Sequence, residues 1–495
     1  TQAAIQAGTK NIAAERAIGQ ALVLGTAVKL PQVSSAPYTV TLLENGVPTS
    51  YAVADKLLFE SMQSLHLPEM PFLGILSGPA NLLRNMVTKD PGFMLANLMR
   101  DSLSAYVTSG ANMTPLIDTF SNFGKVMAGR SPEFQALINA GVIGGYEFSR
   151  GVPSSGEALA KDLRKKTGTL TGTESKLKPI TSLWDFLEKG TEASDAATRM
   201  AVYDRVLAET GNEAEALYRA LEVMNFNRKG SSPVVRILTA AIPFLNARIQ
   251  GLDVFYRTAM GRNVSANAEA MQKAFFVRGA TLMALSAAYF LAVSDDDEWK
   301  KQEQETKDNY WIAPGIGKFP TPFEVGFLFK TMPERIMAYT LKDDTGQDLM
   351  DSMRRGLLNT FAFNPIPQTF KPVIEYAANY NFFTGRPIVG MGMEGKEPEY
   401  QVGPNTTKTA EMIGKTLGLS PLKIDQLISG YTGTMGSYLM MTIDSALDSQ
   451  SNSPHASKRF EQLPIIKRFA ADPEARGNIT QYYELKKAVD AAVET

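Results

Sequence analysis

Ser420-Pro421-Leu422-Lys423 has the S-x-x-K spacing of a serine nucleophile with a lysine base, and Lys166-Thr167-Gly168 has the K-T-G spacing that accompanies it. The two run in the wrong chain order, no S-D-N lies between them, and no α/β pattern surrounds them. Ser420 therefore reads as a helix cap. Gly390-Met391-Gly392-Met393-Glu394-Gly395 fits G-x-G-x-x-G, which cradles a pyrophosphate only between a strand and a helix N-terminus. Lys396-Glu397-Pro398 follows it instead, so a flexible loop is expected. The chain has no Cys and two His, His66 and His455, far apart in sequence. Cysteine-based zinc sites, disulfides and thiol nucleophiles are excluded, and the His spacing suggests no metal site. Carboxylates such as Glu324 and Glu334 cannot be placed around a substrate from sequence. With no G-x-S-x-G, Walker loop or HExxH either, no catalytic, cofactor-binding or metal residue is assigned. The chain is expected not to be an enzyme, any catalytic domain lying outside it.

Composition bounds the rest. The 495 residues suffice for a sizeable core and suggest two to four domains. Lys plus Arg is 50 and Asp plus Glu is 51, without the basic excess of a dedicated nucleic-acid binder. Ile5 to Ala14 lacks the apolar stretch of a signal peptide, and the first residue is Thr1 rather than Met, as expected for a processed product or for part of something longer.

The elements that would position any site are mostly helices. Residues 1–28 read as an Ala-rich helix. Tyr38–Leu43 and Val47–Val53 flank Glu44-Asn45-Gly46, a hairpin signal because both turn residues must accept positive φ. Pro48 suggests an edge strand, and this hairpin is expected to be the only sheet. From Ala54 onward apolar residues recur at helical spacing. Asp90-Pro91 starts one helix. Leu183–Thr210 reads as a long helix or two abutting ones, with Ala193, Ala196, Ala197, Met200, Tyr203 and Leu207 in register. Pro243 should break the helix over 236–260. Ser149–Pro179 reads as an exposed loop, Pro314–Pro322 and Asn364–Pro372 as connectors, Ser420–Gly430 as a helix ended by its glycine, and Ile465–Val493 as a charged helix.

Ala274–Val293 is the longest apolar run, interrupted only by Arg278 and followed by Ser294-Asp295-Asp296-Asp297-Glu298. The plainer reading is a core helix. The sharper one is bilayer insertion, since about 20 residues span a membrane and an arginine near one end can reach the interface. Arg278, Leu282, Leu285, Tyr289 and Phe290 are the candidate membrane or helix-packing residues. Basic clusters occur at Lys161–Lys166, Arg228-Lys229, Arg236, Arg354-Arg355 and Lys458-Arg459. Solvated surface is the plainer reading. The alternative is sequence-independent phosphate contact, for which Arg228, Lys229, Arg354 and Arg355 are the candidates.

Five strings in order resemble a known family. They are Thr88–Phe93 with Asn97–Asp101; Asn225–Gly230; Ile242–Gly251; Tyr310–Ile312 leading to Pro322–Glu324; and Ser420–Ile424 with Gly430–Gly433. Together they resemble a large polyvalent protein-associated domain of phages and prophages, also similar to the C-terminal part of internal core proteins of short-tailed phages, over roughly residues 40 to 445. The resemblance implies a structural segment of an internal virion protein, packaged in the capsid and ejected to help form a genome-delivery conduit. It implies self-association, internal and portal proteins as partners, and a move from virion interior to host periplasm and inner membrane, with genomic DNA and that membrane as further contacts. Asn225, Arg228, Pro243, Phe244, Asn246, Arg248 and Gly251 are the assembly candidates. A prophage effector or defence protein with its enzymatic domain upstream is the alternative.

The expected fold is mainly α, a multi-helix assembly with one small N-terminal β-hairpin. Its expected parts are a helix plus hairpin (1–55), a helical subdomain (56–150), a polar loop (151–180), a central helical subdomain (181–300), short helices with Pro/Gly connectors (301–450) and a charged tail (451–495).

Overall fold

The computed structural model describes residues 27–31, 39–44, 47–54, 73–129, 131–139, 174–223, 232–263, 265, 267–342, 344–361, 365–382, 385–403, 406–448 and 466–470. The fold is mainly α, with the expected hairpin near its N-terminal end. Strands β1 (Ala27–Lys29), β2 (Thr39–Glu44) and β3 (Val47–Val53) form an antiparallel sheet in the order β1-β3-β2. Glu44 pairs with Val47, the register of a two-residue connection. The helix expected over 1–28 falls mostly outside the described residues, and its last two positions, Ala27 and Val28, are strand. Pro48 sits in the central strand opposite Leu43. β1 reaches only Tyr51–Val53, so β3 is still an edge at Pro48, where its missing N–H does no harm.

Helices α1 (Leu73–Thr88) and α2 (Pro91–Thr108) follow. Asp90 caps α2 as expected, its Oδ1 accepting from Gly92 N at 2.9 Å, with Pro91 at the first helical position. After α3 (Ile117–Met127) and α4 (Pro132–Asn139) comes α5 (Glu174–Thr210), a single helix of 37 residues and about 55 Å. It starts earlier than a polar stretch ending at Pro179 suggests. Ala193, Ala196, Ala197 and Met200 on α5 are fully buried. These small side chains let α3 and α6 (Glu213–Glu222) pack close, with Val126, Ala216 and Ala220 in the same core.

Pro243 separates α7 (Pro233–Ala241) from α8 (Leu245–Ala259), and Phe244 turns the chain with a left-handed φ of 62°. Helix α9 (Ala268–Val293) contains the long apolar run. After α10 (Asp297–Lys300) and α11 (Gln304–Asn309), β4 (Tyr310–Ala313) and β5 (Gly317–Pro320) pair as a second hairpin. A two-residue ladder, β6 (Tyr380–Asn381) with β7 (Arg386–Pro387), is the third sheet. The expectation of one sheet is thus corrected: the alternation over four residues at 310–313 is too short to register as a strand, and the Pro/Gly stretch after it is a turn and its partner.

One continuous rod comprises α12 (Phe323–Gly326), a π-helical turn at Phe327–Thr331 and α13 (Met332–Leu341). Beyond it lie α14 (Gly346–Phe361), α15 (Lys371–Ala378), α16 (Met391–Glu394), a 3-10 turn at Pro398–Tyr400, α17 (Lys408–Leu417), α18 (Pro421–Asp448) and α19 (Ile466–Phe469). The loop expected at 390–395 is the single-turn α16. Ser420 opens α18 through its backbone carbonyl, which accepts from Ile424 N, while its buried Oγ makes no hydrogen bond among the described residues. The side-chain cap is therefore not formed.

Gly430 does not end α18. Its bare Cα lets Pro372 of α15 approach, and a Cβ there would lie 2.9 Å from Pro372 Cβ. The kink comes at Gly433, with φ 62° and ψ −158°, where a Cβ would lie 2.9 Å from Val87 Cγ2. Gly433→Ala is expected to lower stability by about 1–3 kcal/mol through strain and overpacking, read as a lower urea midpoint. An unchanged midpoint would mean that α18 does not bend there.

Candidate functional site at a motif junction

Three of the five strings meet around the start of the α12 rod, and a fourth, at 430–433, is tied to them through Gln368 and α1. Arg100 on α2 donates from Nε to the Thr321 carbonyl at 3.2 Å, and its guanidinium lies 4.8 Å from the Phe323 ring centre. Phe93 on α2 meets Phe244, their rings 6.1 Å apart. Gly251 on α8 leaves room for Glu324, and a Cβ there would come within 3.0 Å of Glu324 Oε1. Arg248, one helical turn earlier, is the cation facing that carboxylate; burial pushes the Glu324 carboxyl up and the Arg248 guanidinium down. Gln368 ties α7 to α18: its backbone N–H donates to Ala241 O at 3.1 Å and its Nε2 to Gly430 O at 2.6 Å. Gly433 closes the circle against α1. Pro243 and Asn246 are half-buried between these contacts, whereas Asn225, Arg228 and Lys229 lie outside the described residues.

Arg84 was not singled out from the sequence. Its guanidinium donates to the carbonyls of Thr239 (2.6 Å), Ala240 (3.2 Å) and Ile242 (3.1 Å), supplying the cation that the C-terminal end of α7 favours. Arg468 was also missed. It pairs with Asp90 at 3.0 Å and lies over the Phe93 ring, so α19 comes back onto the start of α2. An isolated arginine 155 or 378 residues from its partner leaves no local signal.

A second group lies on the other side of the rod. The π-turn sets two neighbours to opposite tasks. Phe329 packs edge-on against Phe275 of α9 at 5.6 Å and closes on Gly279. Lys330, fully buried, pairs with Glu334 at 3.0 Å and donates to the Lys307 carbonyl. Beside them Arg335 meets Asp308 at 2.9 Å and Asp344 at 3.3 Å. Burial drives the Glu334 carboxyl up to about 7, against the pull of Lys330, and drives the Lys330 ammonium down. Asp101 on α2 is likewise pushed up to about 7, first by burial and then by Asp195.

Candidate DNA-contact residues fall differently here. Arg354 is exposed, while Arg355 pairs with Asp308 at 3.2 Å and donates to Ser352 Oγ at 2.8 Å. Among the described residues no group of three or more His, Cys, Asp or Glu could hold a metal ion.

The apolar run is buried on one side only. Only 17% of its most apolar window is buried. One side of α9 packs on α2, α8, the π-turn and α13 through Phe275, Gly279, Ser286 and Phe290. Leu282 is half-buried there. Arg278 does not reach outward: it donates to Tyr106 O at 2.7 Å and stacks on the Tyr106 ring. Tyr289 O–H donates to Ile312 O at 3.0 Å and accepts from Ile312 N at 2.7 Å, fixing α9 to β4. The opposite side, with Leu285 at 62% exposure, has no cover among the described residues.

No curated protein and no solved structure matches the chain. Residues 296–466 match the family Large polyvalent protein associated domain 38. That range holds the Tyr310–Glu324 and Ser420–Gly433 strings; the strings at 88–101 and 242–251 lie outside it but pack directly on it. It is narrower than the 40–445 span of the resemblance. Over residues 296–466, from just past α9 to the start of α19, the chain is similar to a large polyvalent protein-associated domain.

Proposed function

We infer that this chain is a structural, non-enzymatic segment of a phage-type internal virion protein. It is packaged with other internal and portal proteins and ejected with the genome, and it helps form a conduit across the host envelope. The observation that carries this reading is the uncovered apolar side of α9, on a chain with a polyvalent-protein domain. A 26-residue helix is about 39 Å long, enough to cross a hydrocarbon core. Monomeric soluble proteins rarely leave so long an apolar face open, and such a face marks contact with a membrane or another protein. In the host, α9 meets the inner membrane.

Mass spectrometry of virions before and after triggered DNA release tests the role. Peptides of this chain should be present in full particles and lost from emptied ones. Absence from both would sink the reading and favour an effector acting inside the cell. The membrane contact is tested separately. Leu285→Asp alters only an exposed position, so the variant should fold with an unchanged urea midpoint yet lose at least tenfold in binding to anionic vesicles, since a mid-helix Asp costs about 2.5–3.5 kcal/mol in a bilayer. Equal vesicle binding by the folded variant would remove α9 from the membrane.

A further inference from the structure

Helix α9 is apolar all round, yet its open side has an internal order. At about 100° per residue, the centre of that side runs through Val277, Ala280, Ala284, Ala288 and Leu291, all exposed. Larger exposed side chains flank it, Phe276 and Met283 along one edge and Leu285 along the other. No charged residue occurs between Lys273 and Asp295 except Arg278, which is turned to Tyr106. Lys273 and Asp295 are both exposed, one turn beyond either end of the seam.

We propose that a second copy of this chain docks on this side, α9 against α9, antiparallel, with the two-fold axis at Ala284. Charge placement selects the occupant and the direction. Lys273 lies eleven residues before Ala284 and Asp295 eleven after it. An antiparallel pair centred on Ala284 therefore sets each Lys273 beside the other copy's Asp295, twice by symmetry. A parallel pair sets lysine on lysine and aspartate on aspartate. The acidic run Asp295–Glu298 also stands at the negative end of its own helix dipole. The antiparallel partner brings its positive N-terminal end to that place. The alanines along the seam let the two backbones approach, and the flanking Phe276, Met283 and Leu285 close over the partner's edges. Asp295 keeps an exposed ion pair with Lys342, 2.7 Å long, which leaves it accessible from outside. The dimer follows from α9 alone and does not depend on a role in ejection. It covers in solution the face that a membrane would cover after delivery.

The chain has no cysteine, so introduced ones report cleanly. In the full chain under mild oxidation, Ala284→Cys should form a disulfide-linked dimer. Val277→Cys alone should not, because its two copies would lie about 21 Å apart along the seam. An equimolar mixture of Val277→Cys and Leu291→Cys should cross-link. By sedimentation, Lys273→Glu should weaken dimerisation about tenfold, and Lys273→Glu with Asp295→Lys should restore it. Self-linking of Val277→Cys as efficient as that of Ala284→Cys would overturn the antiparallel arrangement. A chain that stays monomeric, with no Ala284→Cys linkage, would overturn the dimer; α9 protected only by phosphatidylglycerol vesicles would then make lipid the occupant.

Discussion

Replacing Arg335 with alanine should lower the free energy of unfolding by about 3–5 kcal/mol, because it strands Asp308 in the interior. Arg335 is 2% exposed and reaches two carboxylates, Asp308 and Asp344. Among the described residues, Asp308 keeps one ion pair, with Arg355 at 3.2 Å, once Arg335 is gone. Lys330→Met should cost less, since Glu334 already holds a proton up to about pH 7 and can become neutral when its partner is removed. The sign of the pH dependence follows. The folded chain binds a proton at Glu334 well above the 4.5 of an ordinary glutamate, so it binds more protons than the unfolded chain above that value. Stability of Lys330→Met should therefore fall as pH rises from 5 to 8. Urea unfolding of both variants at two pH values measures this. A loss below 1 kcal/mol for Arg335→Ala would mean that the ion cluster is not buried in solution.

Phe275→Ala should cost about 3–5 kcal/mol and loosen α9 before the rest of the protein. Its ring is 1% exposed and makes edge contacts with Phe255 at 5.2 Å, Phe276 at 5.3 Å and Phe329 at 5.6 Å. These contacts hold the covered side of α9 to α8 and the π-turn. The α5 core shares none of them. Amide exchange should therefore accelerate across α9 while α5 keeps its protection. Uniform acceleration through both helices would show instead that the two cores unfold as one unit.

Local signals of the fold were readable and tertiary ones were not. Asp90-Pro91 and Pro243 act on the backbone beside them, and both mark helix boundaries where expected. Asn45-Gly46 between β-branched runs gave the right register for β2 and β3. Of two glycines in Gly430-Tyr431-Thr432-Gly433, sequence favoured the wrong one, because a close approach to Pro372 and a positive φ look alike in one dimension. Nothing in the sequence marks Lys330, Glu334 and Arg335 as buried, since charge at helical spacing is ordinarily outside. The π-turn that carries them inward has no sequence signature. The strings at 97–101, 242–251 and 322–324 each looked unremarkable. Their meeting at Thr321–Glu324 is a fact of packing. For α9, apolarity on every side told that it needs cover but not which half receives it.

The turn at Phe327–Thr331 has a bearing on descent. A π-turn is a helix with one residue more than its length requires. Remove that residue, and everything beyond it rotates by about 100° relative to everything before it. Phe329 could then stay against Gly279, or Lys330 beside Glu334, but the two could not be kept together. Single-residue deletions in this pentapeptide should accordingly be purged by selection, while the stretch between α13 and α14 drifts in length. A related gene lacking the residue would have had to exchange the whole ion cluster for apolar side chains, and its gap here would date that exchange.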